Sequence, residues 1–94
     1  MTITVRNKAD VDIAIDFVLY PQPLAPRALE IKRDDYRGYS NEDPKGVLMV
    51  IYRDTADLSN YVLYYIRANS SIVVHPYKVT EDDRTLVPAT DNSN

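Results

Sequence analysis

Ninety-four residues make one domain and leave no room for a second. The formal net charge of −3 argues against nucleic acid as the main partner, because a phosphate backbone wants a concentrated basic footprint. The absence of cysteine excludes disulfides, a thiolate nucleophile and Cys-ligated zinc, and no apolar run reaches the roughly 18 residues of a membrane-spanning helix.

The periodicity along the chain is that of strands. Ile3 and Val5 alternate with Thr2, Thr4 and Arg6, which predicts a short first strand. Asn7-Lys8-Ala9-Asp10 reads as a polar turn. Val11, Ile13, Ile15, Phe17 and Leu19 then point to one side, with Asp12, Ala14 and Asp16 on the other. Pro21, Pro23 and Pro26 predict a rigid extended crossover, since proline cannot donate to a ladder. Leu29 and Ile31 belong to a third strand, and a short strand over Tyr36–Ser40 lies inside the polar loop from Asp34 to Lys45.

Val47 to Tyr52 is apolar on both faces, the pattern of a central strand, and Tyr61 to Ile66 repeats it. Asp54 to Asn60 is a loop between them. Ala68 to Ser71 reads as a turn, Ile72 to Val79 as a strand interrupted at Pro76, which favours an edge or a bend there, and Thr80 to Arg84 as an acidic turn. Leu86 and Val87 are expected to form a last short strand. The expected fold is therefore all-β: a small antiparallel β-sandwich, immunoglobulin-like or jelly-roll-like, of about seven strands. Residues 1–88 form its single domain and residues 89–94 a flexible tail.

Catalytic parts are hard to find. His75 is the one histidine, and Ser70 and Ser71 stand in a turn without a G-x-S-x-G setting, so His75 reads as a strand-end residue before Pro76. The pairs Asp10/Asp12, Asp34/Asp35, Glu42/Asp43 and Asp82/Asp83 fall mostly in turns, where aspartate serves local hydrogen bonds, and none has EF-hand spacing. Gly38 and Gly46 are too few for a phosphate-binding loop. The expectation is a non-enzymatic protein without metal or cofactor.

Binding chemistry is better represented. Lys32 to Tyr39 interleaves Arg33 and Arg37 with Tyr36 and Tyr39, a combination suited to a sugar, a lipid headgroup or a protein hot spot. Alternation puts Tyr61 and Tyr65 on one face and Tyr64 on the other. The candidate binding residues are thus Arg33, Tyr36, Arg37, Tyr39, Tyr61 and Tyr65. Two strands apolar on both faces also predict a homodimer that buries one tyrosine-bearing face.

Ile3-Thr4-Val5-Arg6-Asn7, the Arg37-Gly38 pair, Tyr64-Tyr65 followed by Ala68, Ser70-Ser71-Ile72-Val73-Val74, and Arg84 with Leu86-Val87-Pro88 follow one another in the order seen in a known group. In these stretches the chain resembles small bacterial, Pseudomonas-type insecticidal proteins active against corn rootworm. A weaker likeness runs to actinoporin and fungal fruit-body lectin sandwiches. The first resemblance implies a short β-rich toxin that binds the midgut epithelial surface through a receptor, glycan or lipid and damages those cells. The alternative is a non-toxic lectin-like or protein-binding module. The opening residues carry no long apolar h-region. The expected history is therefore synthesis in the bacterial cytoplasm as a soluble protein, with action in the insect gut.

Overall fold

The computed structural model describes residues 2–18, 29–40, 46–57 and 59–91, which fold as a β-sandwich of two five-stranded sheets. The first sheet has the order β4 (Tyr36–Ser40), β1 (Thr2–Asn7), β7 (Ser70–Val74), β8 (Val79–Glu81), β9 (Arg84–Thr85). The second has the order β10 (Thr90–Asp91), β6 (Val62–Ile66), β5 (Val47–Tyr52), β2 (Ile13–Val18), β3 (Leu29–Ile31). Pairing is antiparallel except between β1 and β7, which run parallel with Ile3 beside Ser70 and Asn7 beside Val74.

Strand alternation builds the core. Ile3, Val5, Ile72 and Val74 from the first sheet meet Ile13, Ile15, Met49 and Ile51 from the second, and each is at most 2% exposed. Full burial of side chains of this size contributes about 1.5–3 kcal/mol apiece. β5 lies at the centre of its sheet, as its two apolar faces predict. Its outward residues Val50 and Tyr52 join Ala14 of β2 in a second buried cluster, with Tyr61 and Leu63 packed over it. Gly46 opens β5 at φ 88°, and a Cβ there would collide with the Ile66 carbonyl oxygen.

Several boundaries differ from the sequence reading. Ile72 to Val79 is two strands, not one bent strand: His75 N–H donates to Lys78 O at 2.8 Å and closes a hairpin through Pro76 and Tyr77. The acidic turn shrinks to Asp82 and Asp83, whose φ of 50° and 69° fit a two-residue hairpin loop matched to strand twist. That places the next strand at Arg84–Thr85 rather than at Leu86 and Val87. Leu86 packs against the core while Val87 is exposed. The tail expected from Ala89 is paired at its start: Ala89 N–H donates to Leu63 O at 2.7 Å, and Thr90–Asp91 lie on β6. Val11 falls in the β1–β2 turn, exposed, and not on β2. The crossover at Pro21–Pro26 and the Glu42/Asp43 pair lie outside the described residues.

Two buried polar side chains fasten one sheet to the other. Asn7, read as a turn residue, is fully buried, and its side-chain Nδ2 donates to Val11 O and Ile31 O at 2.9 Å each. Its Oδ1 accepts from Ala9 N–H at 2.9 Å, so the whole amide is satisfied. At the other end Glu81, also read as a turn acid, is 1% exposed. Its carboxylate accepts the Arg67 backbone N–H at 2.6 Å and the Arg84 guanidinium at 2.7 Å. Arg67 Nε lies 3.5 Å from the same carboxylate.

Candidate functional site

The loop end above Asn7 holds a concave feature. Residues 8–12 between β1 and β2, residues 32–35 between β3 and β4, and the start of the β5–β6 loop meet there. They enclose an open depression of about 600 Å³ lined by Asp10, Val11, Asp12, Arg33, Arg53, Asp54 and Thr55.

Each loop is fixed by its own hydrogen bonds. Asp12 Oδ1 accepts the Arg33 N–H at 3.0 Å, which joins the first two loops. Asn7 reinforces that join from below through Val11 O and Ile31 O, and its backbone exchanges bonds with Asp34 and Asp35. Asp34 adopts φ 65°, a conformation aspartate tolerates, to close the β3–β4 turn. Arg53 donates to His75 O at 2.8 Å and so ties the β5–β6 loop to the β7–β8 hairpin. Asp54 Oδ1 accepts Ala56 N–H at 2.9 Å.

The electrostatics are mixed. Three aspartates and two arginines line the depression, yet among the described residues no ion pair joins Arg33 or Arg53 to Asp10, Asp12 or Asp54. No group of three or more His, Cys, Asp or Glu side chains among the described residues converges in a metal-binding arrangement. His75 sits beside this end with Nε2 3.3 Å from Thr80 Oγ1. Partial burial, then the positive charges of Lys78, Lys8 and Arg53, push its pKa below the ordinary histidine value.

The six residues singled out from sequence do not form one patch. Arg33 reaches the depression. Tyr36 and Arg37 are exposed on β4, an edge strand, and Arg6 places its guanidinium 4.9 Å from the Tyr36 ring centroid. Tyr39 turns inward, half-buried, with its ring edge-on to Phe17 at 4.7 Å. Burial raises its pKa to about 12, against the lowering pull of Arg37 and with a smaller push from Asp16. Tyr61 and Tyr65 belong to the outer face of the second sheet. Tyr61 packs on Tyr52 at 5.8 Å, whereas Tyr65 is 69% exposed opposite Leu48. Tyr64 points into the core, as the alternation predicts.

Sequence reading missed Tyr77. It is 97% exposed at the tip of the β7–β8 hairpin, two residues from the His75 carbonyl that anchors Arg53. Its position after Pro76 was the available signal, since proline cannot donate to a ladder and marks turns. No helix among the described residues is long and apolar enough to cross a membrane. Comparison with family models, with characterised proteins and with solved structures gave no match.

Proposed function

We propose that this protein acts by binding a surface rather than by catalysis, and that it is a small insecticidal protein directed at the midgut epithelium. The observation that carries the binding reading is Tyr36. A ring 57% exposed on an edge strand, held under the Arg6 guanidinium and followed by Arg37 and Gly38, adds little to the core. Such a ring offers a large contact area at low entropic cost to a receptor, glycan or lipid. The insecticidal reading rests on the resemblance carried by Ile3 to Asn7, Tyr64-Tyr65 and Ser70 to Val74. In this reading the protein is made in the bacterial cytoplasm and acts in the gut lumen.

Feeding purified protein to rootworm larvae is the test. Growth arrest is expected, with Tyr36→Ala retaining the wild-type unfolding midpoint but losing gut-cell binding. Normal larval growth at high dose sinks the toxin reading.

A second reading, a non-toxic lectin-like module, is favoured by the floor beside Tyr36. Thr2, Thr4, Ser40 and Ser71 surround Gly38 in register on the outer face of the first sheet, where hydroxyls would meet a sugar. Specific glycan-array hits abolished by Tyr36→Ala, without larval toxicity, would select it. In either reading the chain is proposed to work as a homodimer through the outer face of the second sheet.

A further inference from the structure

We infer that the depression between the β1–β2, β3–β4 and β5–β6 loops binds a zwitterionic lipid headgroup, with Tyr77 as the anchor in the adjoining interface. The inference rests on the surface-binding reading and assigns it a ligand class and a site.

Charge separation is the first ground. Arg33 and Arg53 stand around the same 600 Å³ depression as Asp10, Asp12 and Asp54 without pairing with them. Other bonds run through this lining: the Arg33 backbone N–H donates to Asp12, the Arg53 guanidinium to His75 O, and the Ala56 N–H to Asp54. A ligand with both signs of charge satisfies both sets at once, whereas a simple anion or cation meets repulsion from one of them. Arginine's planar fork fits phosphate oxygens, and carboxylates accept the N–H donors of an ammonium.

Among the described residues the lining holds no aromatic side chain, which narrows the class further. A quaternary ammonium has no N–H to donate and is held by aromatic faces, so this site fits a primary ammonium carried beside a phosphate. Preorganisation is the second ground. Asn7 is fully buried beneath two of the three loops, bonds to both, and fixes their separation before any ligand arrives.

Tyr77 is the third ground and selects a lipid as the source. It is 97% exposed at the tip of the hairpin bonded to Arg53, and tyrosine favours the boundary between water and hydrocarbon. The phosphate and ammonium of a headgroup lie at the depth such a ring reaches.

The experiment is sedimentation of the full chain with phosphatidylcholine vesicles, with and without phosphatidylethanolamine. Alongside it, O-phosphoethanolamine is titrated and followed by backbone amide shifts. Binding is expected only to vesicles with phosphatidylethanolamine, with saturable shifts confined to residues 10–12, 33 and 53–55. Asp10→Asn and Arg33→Gln should each weaken both by about tenfold, the loss of one charge-assisted hydrogen bond. Tyr77→Ala should reduce vesicle binding and leave the soluble titration unchanged. Equal binding to both vesicle types, or shifts spread over the molecule without saturation, overturns the site. Saturable binding of O-phosphoethanolamine without vesicle binding overturns the lipid source. Larval survival alongside intact vesicle binding counts against the toxin reading alone. Larval death without vesicle binding counts against the headgroup site alone.

Discussion

Tyr39 carries the one buried side-chain polar atom without a hydrogen-bond partner among the described residues. A hydroxyl buried without a partner costs about 1–3 kcal/mol of desolvation, and the ring's edge-on contact with Phe17 does not depend on it. Tyr39→Phe is therefore expected to raise stability by about 1 kcal/mol, read from the urea midpoint. The same burial makes stability pH-dependent. In the unfolded chain this phenol ionises near its ordinary value of 10, while in the folded protein it holds its proton to about 12. Between those values the unfolded state binds fewer protons, so the contribution is complete below pH 10 and is lost as pH rises towards 12. Tyr39→Phe should flatten that part of the alkaline decline. Equal losses in both proteins from pH 9.5 to 11.5 would show that the hydroxyl is solvated.

At the scale of elements, the strongly patterned strands were legible and the polar fasteners were not. β1, β5 and β6 stand where alternation puts them, because every second residue faces one core. Asn7 and Glu81 look like turn residues in sequence, since nothing local distinguishes an asparagine or glutamate that solvates a turn from one that is buried. Their partners are distant: Ile31 is 24 residues from Asn7, and Arg67 is 14 from Glu81. The candidate site was hidden for the same reason. Arg33 is readable as a loop arginine, but the depression exists only once three separate loops meet.

Glu81 gives the element-scale prediction. It joins the β6–β7 crossover to β8, so Glu81→Ala leaves the Arg67 N–H without its acceptor and opens a cavity. The expected cost is about 3 kcal/mol, with Glu81→Gln nearer 1 because it keeps both shape and acceptor. Amide exchange at Arg67 should accelerate in the alanine variant. An unfolding midpoint within error of wild type would mean that the crossover is held by Ser70 Oγ on Arg67 O instead.

The whole molecule covers one of its sheets unevenly. On the outer face of the second sheet, Tyr61 and Leu63 pack over Ala14, Val50 and Tyr52, so that end is closed by the chain itself. Further along the same face, Leu48 is half-buried opposite Tyr65, which remains 69% exposed. A stable interface buries roughly 600–1,000 Å² per partner, and the protein exposes 6084 Å² in all. About a tenth to a sixth of the surface must therefore be committed. One sheet face of this size can supply that area, and a two-fold axis through it would set Tyr65 of each copy against the other's Leu48 region. The loop-end depression, the Tyr36 edge and the Tyr77 hairpin all lie away from this face, so pairing would leave them open and double them. Two linked copies convert weak headgroup contacts into avid attachment, since the second contact forms at high effective concentration. Light scattering is expected to give a dimer mass that falls to the monomer in Tyr65→Ser, together with a steep loss of vesicle binding and an unchanged affinity for soluble O-phosphoethanolamine. A wild-type mass equal to one chain at all concentrations would remove the dimer, and vesicle binding would then have to rest on single sites.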